Sequence, residues 1–155
     1  MAQDALHHAE NVGVVVRNAA GLGASAVIVG ETSASLYLRR AMRTSLGAVF
    51  CLPIVHPPLL STMLSALVGS FGTRLISADA GATILLEEAG FGGNVCVIVG
   101  NEQRGVSPDP LSLCALRVRL PMDRDTGPLN VGTAVAVMLY GIREYRRRAG
   151  PQNLR

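Results

Sequence analysis

The chain contains no lysine and no tryptophan, and only three phenylalanines and three tyrosines among 155 residues. No apolar run reaches the roughly 18 residues of a membrane-spanning helix, so none is expected. The N-terminus lacks a basic stretch followed by an apolar one, which argues against a signal peptide. Cysteine is scarce: Cys51, Cys96 and Cys114 are odd in number and widely spaced. That excludes a disulfide framework and a zinc site, and reads as buried thiols in a reducing, cytoplasmic compartment. His7, His8 and His56 have no metal-ligand spacing with them, so no metal is expected and the histidines read as surface or cap residues. There is no strand–GxGxxG–helix phosphate loop, which weakens the case for a generic nucleotide-binding domain. Internal repeats, low-complexity tracts and linkers are also missing.

What is present is a single well-cored domain. A chain of this length buries about 70% of its unfolded surface, and 49% of its residues are hydrophobic. The net charge is only +3, but all fourteen basic residues are arginine. Genome composition can account for that bias. Arginine forks nevertheless suit phosphate oxygens and stack on bases, so an RNA partner is permitted. Arg143, Arg146, Arg147 and Arg148 cluster at the end of the last expected helix, where cations complement the helix dipole.

Apolar runs alternate with helical patterns. Asn11 is placed as the N-cap of a helix running to about Leu22, with Gly21 and Gly23 ending it. Ala26–Val29 reads as a buried strand, Ser35 as the cap of a helix through Thr44, and Ala48–Leu52 as the next strand. Pro57 and Pro58 open a third helix, with Leu59, Leu60, Met63, Leu64 and Leu67 at helical spacing. Arg74–Ser77 is a strand leading into a turn at Asp79–Gly81, while Ala82–Ala89 suggests one or two helical turns. Val95–Val99 is a strand, Pro108–Leu113 a short helix, Arg117–Leu120 the last strand and Asn130–Arg147 the last helix. This order predicts an α/β fold with a mainly parallel sheet covered by helices on both faces. Met1–Glu10 is polar and short where a first strand should lie. Either the sheet lacks that strand, or the chain begins inside a larger parent.

Three polar loops punctuate these strands and suggest a ligand pocket at the strand ends. They carry NVGVVVRNAAGLGA (from Asn11), IVGNEQRGVS (from Ile98) and LPMDRDTGPLNVGTAVAVMLYG (from Leu120). In order and spacing the three resemble the signature motifs of the SpoU (TrmH) branch of the SPOUT RNA methyltransferases. RRAMRTSLGAVFCLPI resembles that family's middle segment, and the likeness covers about residues 10–145. It implies a single catalytic domain over residues 1–155 with a deep C-terminal trefoil knot, one of the rare exceptions to unknotted chains. A separate N-terminal RNA-binding domain, typical of the family, is not expected. The resemblance further implies a homodimer, S-adenosylmethionine as cofactor, and methylation of a ribose 2′-hydroxyl in tRNA or rRNA. The rival reading is a catalytically weak or inactive RNA-binding relative that keeps the fold.

Carried over by motif, Asn11, Arg17, Glu102 and Asn130 fall on the family's catalytic positions. The cofactor would be surrounded by Ser77, Ala78, Asp79, Ala80, Val99, Gly100, Asn101, Gly105, Leu120, Met122, Pro128 and Leu129. Two departures stand out: Pro128 replaces the family's usual serine, and the usual first strand is cut to Met1–Gln3. Taken one at a time, Arg17 reads as a surface helix arginine, Asn11 and Asn130 as N-caps, and Glu102 as a solvated acid. In the motif context, Arg17 would stabilise a developing alkoxide or hold the adjacent phosphate, because a guanidinium keeps its proton in proteins and makes a poor base. Glu102 would orient Arg17 or Asn11 through charge-assisted hydrogen bonds. Gly100 and Gly105 would let the backbone grip a ligand closely.

Overall fold

Seven strands, all paired in parallel, form one sheet in the order β3-β2-β1-β6-β4-β7-β5. They are β1 (Ala2–Gln3), β2 (Val27–Val29), β3 (Ile54–Val55), β4 (Arg74–Ala78), β5 (Ile84–Leu85), β6 (Val95–Val99) and β7 (Leu116–Arg119). Five helices accompany them: α1 (Ala9–Gly21), α2 (Arg39–Ser45), α3 (Leu60–Phe71), α4 (Pro108–Ser112) and α5 (Val131–Ala149). This computed structural model describes residues 1–123, 127 and 129–150.

Because side chains alternate along a strand, the β-runs divide themselves between two cores. Val27, Val29, Ile76, Val97, Val99 and Val118 pack with α1 and α5 on one face. Ile28, Leu75, Cys96 and Ile98 meet Leu60 and Leu64 of α3 on the other. An all-parallel sheet needs such cover on both sides, and it explains why these strands read as unbroken apolar runs.

The expected gap at the first strand is filled, though only by two residues. Ala2 lies opposite both Ile28 and Ile98, so β1 sits inside the sheet, between β2 and β6. Backbone groups put it there. Met1 and Gln3 carbonyls accept from Ile28 and Gly30 at 2.9 and 2.8 Å, and the Asp4 amide donates to Val99 O at 2.9 Å. Side-chain polarity misleads at this point, because Gln3 and Asp4 are both buried. Asp4 accepts from the Ser107 amide at 2.6 Å, which ties the segment after β1 to the loop after β6.

The Ala48–Leu52 segment is a second correction. It forms a 3₁₀ turn over Ala48–Phe50, and the strand falls later, at Ile54–Val55. Leu46 and Gly47 both take left-handed backbone angles, φ +47° and +83°, which reverse the chain before an extended run can begin. Phe50 and Cys51 are left exposed, so Cys51 is not a buried thiol. The second helix starts at Arg39, with Leu38 in the cap position in place of Ser35. The Ala82–Ala89 stretch holds β5 followed by a 3₁₀ turn at Leu86–Glu88.

Arg146, one of the C-terminal arginine cluster, donates to Phe91 O and Gly93 O at 3.2 and 2.9 Å. Arg147 pairs with Glu144 at 2.9 Å. Half the cluster therefore serves the fold itself.

Helix α1 crosses α2 with its backbone in direct contact at Gly13. A Cβ at that position would overlap the Ala41 carbonyl and the Thr44 hydroxyl. Thr44 uses that hydroxyl to donate to Glu10 O at 3.0 Å, so neither neighbour can simply swing away. Gly13→Ala is expected to destabilise the protein by about 1–3 kcal/mol, the range for overpacking a tight contact. A fall in the thermal denaturation midpoint, with unchanged secondary structure below it, is the measurement.

Candidate active site

Parallel strands all point their C-terminal ends the same way, and in open α/β sheets ligands bind beyond those ends. A cavity of about 660 Å³ opens there. Its wall is built by the loop after β4, the loop after β6, the segment from Val118 to Met122, and the first turns of α5. Because β4 lies between β6 and β7 in the sheet, these segments, distant in sequence, end side by side.

Ten of the twelve residues expected around a cofactor border this cavity: Ala78, Asp79, Ala80, Val99, Gly100, Asn101, Gly105, Leu120, Met122 and Leu129. Ser77 does not. It lies within β4 between β6 and β7, buried, with its hydroxyl lacking a hydrogen-bond partner among the described residues. Pro128 lies outside the described residues. Residues not singled out from sequence also line the wall, namely Gln103, Arg104, Val118, Arg119, Gly127, Val131, Ala134 and Met138. Val131, Ala134 and Met138 recur at helical spacing, a signal for one face of α5 that the sequence already carried.

The loop after β6 is shaped by Gly100, where a Cβ would overlap the backbone of Gly105 and Val106. Gly105 itself takes φ +72°. Asn101 closes the loop from within. Its Oδ1 accepts from the Gln103 and Arg104 amides at 2.9 and 3.2 Å, and its Nδ2 donates to Ala5 O at 3.3 Å. Glu102 is thereby held on the rim.

Three of the four expected catalytic residues meet there. Asn11 donates its amide to the Glu102 carboxylate. Asn130 in turn donates to Asn11 Oδ1 at 3.2 Å, and its own Oδ1 accepts from the Gly132 amide at 2.9 Å. Asn130 is thus an N-cap, as its position before an apolar helix predicts. Asn11 is not. The cap position of α1 belongs to His8, and Asn11 falls within the first turn, where its amide is free for Glu102 and Asn130. Asn18 reinforces the junction by donating to Gly132 O at 2.7 Å.

Arg17 stands apart. Six positions along a helix are about 9 Å of rise and about 120° of net rotation, so Asn11 and Arg17 leave α1 from different faces. Arg17 is exposed and has no hydrogen-bond or ion-pair partner among the described residues. Of its two proposed partners, Glu102 engages Asn11 and not Arg17.

Asp79 is fixed by Arg117, whose Nε and Nη2 both donate to Oδ2, while Oδ1 accepts from the Gly81 amide at 2.8 Å. Burial pushes the carboxyl up, and the Arg117 and Gly81 hydrogen bonds outweigh it, leaving the pKa below its ordinary value. The thiols behave in the opposite way. Burial raises Cys96, and burial pushes Cys114 up to about 11. Both remain protonated at neutral pH and supply no nucleophile. No cluster of His, Cys, Asp and Glu able to hold a metal occurs among the described residues, and no described helix is long and apolar enough to cross a membrane.

Residues 2–140 match the model of the SpoU rRNA Methylase family. An uncharacterized tRNA/rRNA methyltransferase of Mycobacterium tuberculosis is 34% identical over 145 residues, covering 92% of this chain and 50% of the relative. This chain thus spans about half the length of the curated relatives it matches. The SpoU methyltransferase AviRb from Streptomyces viridochromogenes, solved in complex with AdoMet, superposes with a TM-score of 0.88 at 26% identity. That match covers 96% of this chain and 60% of AviRb. A structure described as an RNA 2′-O ribose methyltransferase gives a TM-score of 0.84 at 29% identity, over 94% of this chain and 55% of the other. A family match running almost end to end, on a sheet and loop arrangement shared with solved members, leads to one assignment: this chain belongs to the SpoU rRNA methylase family.

Proposed function

We propose that the protein is an S-adenosylmethionine-dependent methyltransferase acting on a ribose 2′-hydroxyl of tRNA or rRNA. The observation that carries this reading is the linked trio Glu102, Asn11 and Asn130 on the rim of a cavity at the strand ends. The family and the AdoMet complex of AviRb favour the same chemistry.

The cavity fits the donor. Its volume lies inside the roughly 300–1,000 Å³ typical of small-ligand sites. Val99, Val118, Leu120, Val131 and Met138 offer an apolar wall for a flat base. Ala78, Asp79, Ala80, Val99, Gly100, Asn101, Gly105, Leu120, Met122 and Leu129 are the residues that would hold it. The donor supplies an electrophilic methyl on a sulfonium.

The protein's own residues must align the ribose oxygen with that methyl and assist loss of its proton. Near-attack positioning of this kind supplies several kcal/mol. Glu102 holds the Asn11 amide in one orientation, and Asn130 fixes its carbonyl side, so the trio forms a rigid shelf beside the reacting groups. Arg17, permanently cationic, stabilises the alkoxide that develops on the ribose.

Since Arg17 faces away from its own Asn11, the arrangement favours a homodimer in which Arg17 serves the site of a second copy. The exposed Val137 and Tyr140 on α5, which packs on α1, give such a pairing an apolar surface. The deep C-terminal knot belongs to the same proposal. The segment after β7 shares the cavity wall with the β4 and β6 loops, as threading between them would require.

Incubating the protein with labelled S-adenosylmethionine and bulk tRNA or rRNA under single-turnover conditions should transfer label to RNA, at positions that resist alkaline cleavage. RNA that stays unlabelled while the protein binds both ligands would favour the inactive RNA-binding relative. Arg17→Ala should lower the transfer rate by about 100-fold or more, as loss of a positioned charge does, while cofactor affinity is nearly unchanged. Equal rates in mutant and wild type would dismiss the role.

The lowered pKa of Asp79 carries a stability consequence with a definite sign. Its contribution is complete above the unfolded carboxylate value of about 3.9 and disappears as pH falls through the lower folded value. Asp79→Asn should therefore be less stable than wild type at pH 7. The difference in thermal midpoints should shrink toward zero in the region below about pH 4.

A further inference from the structure

Among the described residues, the acids on the cavity wall are already committed. Asp79 is occupied by Arg117 and the Gly81 amide, and Glu102 by Asn11. Two arginines share the same wall, Arg104 and Arg119, and among the described residues neither has a carboxylate partner. They differ in setting. Arg104 is exposed in the β6 loop next to Gly105, whereas Arg119 is half-buried at the end of β7. There its backbone is held in the sheet opposite Leu85 of β5. A half-buried arginine whose backbone is fixed on a strand, and whose guanidinium has no counter-charge among the described residues, is poised for an anion. Its planar fork matches a carboxylate by two parallel hydrogen bonds.

We propose that Arg119 binds the carboxylate of the methyl donor's amino-acid end and so sets the direction in which the donor lies in the cavity. This rests on the methyltransferase reading above. The donor carries a sulfonium, an ammonium and one carboxylate, so the carboxylate is its single anionic group. With Asp79 paired to Arg117 and Glu102 engaged by the Asn11 amide, and with the strand-end Arg119 lacking an acid partner among the described residues, the wall favours that group over the two cationic ones. Arg119 is a binding and orienting residue here and takes no part in moving the methyl group or the proton.

The discriminating ligand pair is S-adenosylmethionine and its decarboxylated form, which differ only by that carboxylate. Titration calorimetry of the wild-type protein should show tighter binding of the intact donor. Arg119→Ala should weaken the intact donor by roughly 10–100-fold, the range for a charge-assisted hydrogen bond, and leave the decarboxylated form nearly unchanged. Arg119→Lys should recover part of the loss, since it keeps the charge without the fork. Equal weakening of both ligands would show a structural role and overturn the assignment. So would unchanged binding of both, including the case in which only RNA retention falls, which would assign Arg119 to a phosphate. A wild-type protein that binds neither ligand would instead remove the methyltransferase reading, and this inference with it.

Discussion

The hydrogen-bond chain from Glu102 through Asn11 to Asn130 is the tie on which the site depends. It joins the first turn of α1 to a loop and a helix start that lie 91 and 119 residues away in sequence. Each partner has a separate reason to be rigid. Asn11 sits on a helix packed backbone to backbone against α2, Glu102 on a loop closed by Asn101, and Asn130 on the cap of α5. Asn18 adds a second strut by holding the Gly132 carbonyl. Polar groups joined in this way are worth most when all members are satisfied.

The sheet order makes that convergence possible. β4 lies between two strands that follow it in the chain, so its loop, the β6 loop and the segment after β7 open into one space. The apolar faces of the strands then divide cleanly between the α1/α5 core and the α3 core. Among the described residues four charged side chains belong to the cavity wall, Asp79, Glu102, Arg104 and Arg119, and of these only Asp79 is ion-paired. Arg117 pairs with Asp79, whereas Arg17, Arg104 and Arg119 have no carboxylate partner among the described residues, the first off the cavity wall and the other two on it.

Much of this was readable in advance. The unbroken apolar run Val95–Val99 matches β6 in both bounds, because a strand buried on both faces leaves no other pattern. The residues expected around a cofactor lie mostly on one cavity because glycine-bearing loops at strand ends are set by local chain chemistry. The reading failed where backbone geometry overrode side-chain character. AVFCL looked like a strand, but two left-handed residues before it turn the chain. MAQD looked too polar for a central strand, yet its carbonyls and amides complete the ladders on both sides.

Sequence alone determined the family and the α/β class, since these follow from motif order and from hydrophobic periodicity along the chain. Tertiary structure alone decided which polar groups meet. Asn11 lost its expected capping role to His8 and gained Glu102 and Asn130 instead. Arg17 was turned away from them by the pitch of α1, and Arg119 was left on the cavity wall without an acid partner among the described residues. Such outcomes depend on the angle at which a side chain leaves its helix or strand and on what distant segment arrives opposite it. Neither is encoded in local spacing.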